Sequence, residues 1–416
     1  MKVLLITESF PPIIQGGGEL SASLLAEELA KNKVETHVLT SHFPGLQEQE
    51  EINGVIIHRN LKTGLNPKKI IDNIKRIMFL QKSIKEQAKK LDKEYNFDVI
   101  HFLNTTSITK LNIKTKKIAT INNYTNFCPK SNLYHKKIKW KPGEKNFKKY
   151  LKMMLTSDYV GKQKLKPYLK YNPIFLIWLY LNYLKRRKQI KYVDTFIVLN
   201  NIIKLNNSKK IYNLANIPTK VEEYPIKLEK NKVKILYSGY LETIKGVDLL
   251  IRSISKIENI QLIVLGSGSE ENNLKDLVKR LNIESKVIFT GKVDYKYIPF
   301  FYKNSDIVVL PTRWPEPFSR NILEATFFGK PIVASKTGGN PEGITNNGFL
   351  VNNTRELTEK LQTLTKDKKL REKMGKASKK LYKEKFDPKK LIKETIEFYK
   401  EELSKQNNKN HTKQHN

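Results

Sequence analysis

Residues 307–335 carry Ile307-Val308-Val309-Leu310-Pro311, then Trp314-Pro315-Glu316-Pro317-Phe318-Ser319-Arg320-Asn321-Ile322-Leu323-Glu324-Ala325, then Gly329-Lys330-Pro331-Ile332-Val333-Ala334-Ser335. A short apolar run stopped by proline reads as a buried strand, and the proline-rich turn after it leads into a helix through Glu324 and Ala325. Gly-Lys-Pro ends that helix and a second apolar strand follows. Strand, loop, helix and strand in this order make a βαβ unit and require a parallel sheet. The stretch also sets two carboxylates eight residues apart, Glu316 in the turn and Glu324 inside the helix. Both can face one cleft, and a sugar nucleotide offers hydroxyls at both of its ends.

The same alternation extends on both sides. Val233–Ser238, Gln261–Leu265 and Val287–Thr290 read as strands with helices between them, which gives a second doubly wound domain over residues 229–385. The first half begins with a strand at Lys2–Thr7, a loop with Gly16-Gly17-Gly18, a helix at Glu19–Lys31 and a strand at Glu35–Thr40. Further strands are expected at Val55–His58, Asp98–Phe102, Lys117–Ile121 and, last, Thr195–Leu199, within a first domain spanning 1–222. A helix at 387–402 has no strand after it and is expected to return to the first domain, and 404–416 reads as a disordered polar tail. The fold class is α/β, with two Rossmann-like doubly wound domains.

Several loops at expected strand ends carry residues suited to phosphate and sugar. Gly16 and Gly17 precede a helix N-terminus, where a backbone can approach an anion, although a plain flexible turn explains them as well. Tyr237-Ser238-Gly239-Tyr240-Leu241-Glu242-Thr243-Ile244-Lys245-Gly246 closes one strand and opens a helix. Gly266-Ser267-Gly268 and Gly291-Lys292-Val293 close the next two. The backbone amides of Phe318, Ser319, Arg320 and Asn321 head the helix that carries Glu324.

These motifs resemble the family-four retaining glycosyltransferases of the GT-B fold, over nearly the whole chain and least between Pro129 and Lys191. The resemblance implies two facing domains with a cleft between them and a UDP- or GDP-sugar as donor, with no cofactor and no metal. It also implies transfer of a hexosyl group with retention, by front-face attack. Glu316 would hold the donor sugar's hydroxyls, Glu324 the ribose, Lys245 the diphosphate and the backbone near Val293 the base. Gly16, Gly17 and Glu19 resemble the family's Gly-Gly-x-Glu loop, in which the second glycine, here Gly17, would lie at the diphosphate and acceptor side. The chain departs from the family pattern at Tyr240, where an arginine is usual, at Ser319 in place of glycine, and at Asn122 and Asn123 in place of histidine and aspartate. An amide still orients a sugar but neither moves a proton nor carries charge. His101, at a strand end, matches another family histidine and equally suits a structural role.

Composition leaves the acceptor open. The formal charge is +36, from 77 lysines and arginines against 41 acids. This points to an anionic partner or, equally, to an AT-rich genome that favours lysine and asparagine. Specific nucleic-acid readout is not expected, because arginine forks and the usual binding motifs are lacking. Cys128, the single cysteine, excludes an internal disulfide and suits a reducing cytoplasm. Met1–Ile6 is too short for a signal core. Between residues 130 and 191 stand 18 lysines and arginines against two acids, interleaved with aromatics around Ile174–Leu181. Such a segment either lies in the interface of an anionic membrane or packs on its domain with a solvated basic end. The expected acceptor is a cell-envelope glycan or a lipid-linked one, met by a cytoplasmic protein peripheral on the inner face of the membrane. Three alternatives make different predictions: a catalytically impaired relative that binds sugar nucleotide or a partner without turnover, a sugar-nucleotide epimerase on the same fold, and a nucleic-acid-binding protein.

Overall fold

The computed structural model describes residues 1–13, 17–63, 70–131, 133–135, 138–157, 159–160, 163–164 and 167–414. Two compact units emerge, Met1–Ala215 with Pro388–Asn416, and Asn216–Asp387. The boundary therefore precedes residue 222. The charged connector belongs to the second unit because Glu222 pairs with Lys296 at 3.3 Å and Tyr224 packs on Tyr297 and Phe301.

The first unit contains an eight-stranded sheet. Its strands are β1 (Lys2–Ile6), β2 (Glu35–Ser41), β3 (Gln49–Ile52), β4 (Val55–Leu61), β5 (Val99–Phe102), β6 (Lys116–Ile121), β9 (Thr195–Val198) and β10 (Ser208–Lys210), while β7 (Tyr159–Val160) and β8 (Gln163–Lys164) form a separate pair. The order is β10-β9-β6-β5-β1-β2-β4-β3, parallel throughout except for β3 against β4. Val3, Leu5, Val38, Ile57, Val99 and Ile118 are buried together, as expected for strands covered on both faces. Thr195–Val198 is not the last strand, since β10 follows it, and β3 also joins the sheet. Both added strands are short, polar edges whose pairing comes from a neighbour's backbone rather than from apolar pattern.

The second unit is a six-stranded parallel sheet of β11 (Val233–Ser238), β12 (Ile260–Leu265), β13 (Val287–Gly291), β14 (Ile307–Leu310), β15 (Ile332–Ser335) and β16 (Gly348–Val351), in the order β13-β12-β11-β14-β15-β16. From β11 the chain winds outward through β12 and β13, then returns to the centre at β14 and winds the other way. The β11–β14 junction is thus the topological switch point, where loops at the carboxyl ends of the strands diverge and leave room for a ligand.

The terminal helix runs Pro388–Gln414, and Leu391, Ile392, Phe398 and Tyr399 enter the first unit's core. Its backbone continues through most of 404–416, the segment expected to be a disordered tail. Once a helix is anchored, adding polar residues such as lysine and glutamine needs no new nucleation.

Candidate functional site

Lys245 and Glu316 meet at the switch point of the second unit. Lys245 ends a short turn after β11 and Glu316 lies in the proline-rich turn after β14, and their Nζ and Oε1 atoms are 3.0 Å apart. Lys245 Nζ also lies 5.5 Å from the centre of the Trp314 ring. The loop is locked from below. Arg313 grips Asp248 with two bonds of 2.6 Å and donates to the Thr243 carbonyl at 2.7 Å, while its own amide donates to the Ile244 carbonyl at 2.8 Å.

Glycines permit this close assembly of loops. Gly246 turns the chain with φ of 72°, and a Cβ there would lie 2.1 Å from the Pro311 carbonyl oxygen. Gly338, at φ of 60°, faces the Glu316 backbone so closely that a Cβ would lie 2.2 Å from its carbonyl oxygen. Gly339 N–H donates to that same carbonyl at 2.7 Å. The loops after β11 and β12 are laced by backbone bonds, Gly239 N–H to Leu265 and Leu241 N–H to Ser267, both 3.0 Å. Gly266 accommodates the crossing, since its Cβ would collide with the Gly239 carbonyl.

Glu324 is held differently. It is 3% exposed, in the helix Arg320–Phe327, and accepts from Tyr302 Oη at 2.8 Å, Tyr295 Oη at 3.1 Å and Arg320 Nε at 3.2 Å. Burial raises its pKa, while Arg320 and the two tyrosines act in the opposite direction. Arg320 also donates to Tyr295 Oη at 2.9 Å, so its guanidinium is engaged inside the unit. Two partners, Tyr295 and Tyr302, were not legible from the paired-glutamate motif. The only hint was Tyr295 following Val293, which is half-buried after β13. Ser319 is the buried N-cap residue, Asn321 donates to the Ser238 carbonyl at the end of β11, and Phe318 packs on Phe386. Tyr240 is exposed, with its carbonyl accepting from Tyr237 Oη at 2.9 Å.

The remaining candidates lie in the first unit. Gly16 is outside the described residues, and Gly17 begins the helix Gly17–Lys31. Asn122 donates through Nδ2 to the Leu103 carbonyl and to Asn104 Oδ1, each at 2.8 Å, and accepts from Asn123 at 3.2 Å. Asn104 in turn donates to Thr7 at 3.0 Å, and Thr106 bonds the Glu8 carboxylate. These residues gather at the β1–β5 switch point of the first sheet, and Glu8, Thr7 and Asn104 were missed because isolated polar residues after strands carry no motif. His101 is fully buried, with Nδ1 2.6 Å from Tyr399 Oη and Nε2 2.8 Å from Thr120 Oγ1, and burial lowers its pKa to about 3. It therefore takes the structural role, linking β5 to the terminal helix.

Residues 220–381 match the family described as Glycosyl transferases group 1. An uncharacterized glycosyltransferase of Methanocaldococcus jannaschii is 27% identical over 433 residues, covering 96% of this chain and 98% of that one. Among solved structures, a sucrose-phosphate synthase from Thermosynechococcus elongatus superposes with a TM-score of 0.73 at 18% identity, covering 97% of this chain and 99% of that one. HepE from Anabaena, in complex with UDP, does so with a TM-score of 0.61 at 17% identity, covering 96% and 100%. The fold is GT-B, with its two-domain α/β architecture. The unit that holds Lys245, Glu316 and Glu324 thus matches the group 1 glycosyltransferases, and the chain is similar from end to end to a glycosyltransferase relative.

Proposed function

We propose that this protein moves a hexosyl group from a UDP- or GDP-sugar to a cell-envelope glycan or lipid-linked acceptor, with retention of configuration and without a metal. The reading rests foremost on the Lys245–Glu316 pair at the switch point of the second sheet. UDP in the HepE structure supports a nucleotide-linked donor. Without donor, Glu316 neutralises Lys245. On binding, the diphosphate takes Lys245 and leaves Glu316 to accept hydrogen bonds from the sugar's hydroxyls, so the leaving group meets a cation already positioned for it. Arg320 supports Glu324, and Glu324 keeps acceptor capacity for a ribose hydroxyl because three donors do not exhaust a carboxylate. The amides at the head of the Arg320–Phe327 helix supply further donors, as do the glycine loops at Gly239 and Gly266, and Val293 borders the base. Attack comes from the same face as departure, so no carboxylate acts as nucleophile.

Asn122 has both amide protons engaged, so it positions the loop after β6 and moves no proton. That observation, with Tyr240 at the usual arginine position, favours a second reading, in which the protein binds sugar nucleotide without turnover. One experiment separates them. Thermal shifts with a panel of UDP- and GDP-sugars, in EDTA, are expected to show stabilisation of wild type by one donor and its loss in Glu316→Ala. Release of nucleotide on adding envelope lipid extract identifies the transferase, whereas stabilisation without release identifies the binding protein. No stabilisation by any donor sinks both. The acceptor class places the enzyme in the cytoplasm, peripheral to the inner face of the membrane.

A further inference from the structure

The helix Pro173–Gln189 presents one outward face along its whole length. Ile174 is 78% exposed, Ile177 48%, Trp178 43% and Leu181 58%, and the same face continues through the exposed Lys185 and Lys188. The spacing of these six residues, three or four apart with Ile177 and Trp178 adjacent, is the repeat of a single helical stripe. At 1.5 Å per residue the apolar part extends about 10 Å and the basic part about 5 Å.

The exposure is not a sign of a loosely held helix. Asn172 caps it by accepting from Phe175 N–H at 3.0 Å, and Pro173 occupies its first turn. On the inner face Leu176, Tyr180 and Tyr183 are buried. Tyr150 Oη donates to the Leu176 carbonyl at 2.8 Å and Tyr183 Oη to the Glu144 carbonyl at 2.7 Å, while Phe147 packs on Tyr180. The inner face is satisfied by the unit's own residues. The outer one leaves four large apolar side chains in water, which is a large cost unless something covers them.

We infer that this stripe is the membrane-docking surface of the protein, with Ile174, Ile177, Trp178 and Leu181 entering the interface of an anionic bilayer and Lys185 and Lys188 binding its phosphates. This deepens the peripheral placement proposed above and rests on it. A tryptophan on an apolar face followed by lysines matches the layers of a bilayer interface, acyl chain, glycerol and headgroup. No helix among the described residues is long and apolar enough to cross the bilayer, so this contact is peripheral. Charge selects the occupant. A second copy would bring the same lysines, on a chain of net charge +36, against this face, whereas anionic lipid complements both.

Co-sedimentation of the full chain with vesicles tests the surface. Vesicles of phosphatidylcholine with phosphatidylglycerol are expected to bind the protein, those of phosphatidylcholine alone far more weakly, and high salt to weaken the first. The charge reversal Lys185→Glu with Lys188→Glu weakens anionic binding by at least about 30-fold. Ile177→Ser with Leu181→Ser weakens it by roughly 100-fold, and Trp178 fluorescence in wild type is quenched by brominated lipid. Donor-induced thermal shifts, measured on the same variants, verify that each is folded and keep the two proposals separate. Variants that lose vesicles but keep the donor shift support the surface. A chain that binds vesicles but no sugar nucleotide supports it too, while refuting the proposed reaction. Equal binding to both vesicle types, unchanged binding by both double variants, or a dimer in sedimentation velocity that Ile177→Ser with Leu181→Ser disperses would overturn it.

Discussion

Lys245 and Glu316 stand 71 residues apart in the chain, yet they form one ion pair. Each was legible, because a lysine before a glycine after one strand and a glutamate in a proline-rich turn after another carry recognisable context. Glu324 was legible as a residue but not as an environment, since Tyr295 and Tyr302 converge on it only through tertiary packing, while Arg320 lies one turn before it in the same helix. Buried histidines show the same limit and yield a pH prediction. His58 lies 3.0 Å from His37 beneath Tyr95, and burial lowers its pKa from 6.5 to about 4. The unfolded chain therefore binds a proton below pH 6.5 that the folded chain refuses until near pH 4, so stability falls on acidification through that window. The loss from His58 alone is up to about 3 kcal/mol. Urea midpoints measured between pH 7 and 5 should decline, and His58→Gln should flatten the decline; an unchanged slope in the variant would reject this account.

At the scale of elements, the alternation of apolar runs and amphipathic segments was readable because strands covered on both faces need continuous hydrophobicity. Polar edges such as β3 and β10 escaped, since backbone pairing places them and no side-chain pattern reports it. The loops were half readable. Glycines at Gly239, Gly246 and Gly266 announced turns, but not which carbonyl each would approach. Gly246→Ala forces a Cβ toward the Pro311 oxygen at a left-handed φ. It should destabilise the second unit by ~2–4 kcal/mol and weaken donor binding, because Lys245 rides on that turn. A urea midpoint equal to wild type would show that the turn is not locked as described.

For the whole molecule, the path of the chain matters more than its order. The terminal helix is remote in sequence from the first unit, yet Leu391, Ile392, Phe398 and Tyr399 belong to its core and Tyr399 reaches His101. Burying four such side chains is worth roughly 6–12 kcal/mol, comparable with the entire stability of a domain. A chain stopped after Asp387 should therefore lose the folded first unit while the contiguous second unit persists. Hydrogen exchange would read this directly: protection lost over residues 2–121 and kept over 233–351 is expected, and protection kept in both would refute it.

Sequence by itself determined the strand and helix alternation, the parallel sheets, the positions of the glycine turns and the family resemblance, because each depends on local pattern or on motifs of fixed spacing. It also named Glu316, Glu324 and Lys245. Only the tertiary structure decided that Lys245 pairs with Glu316, that Tyr295 and Tyr302 serve Glu324, that Asn122 is spent on the loop after β5 and that His101 holds the terminal helix. Those outcomes depend on which side chains come within hydrogen-bond distance once strands distant in sequence lie side by side, and no local pattern encodes that.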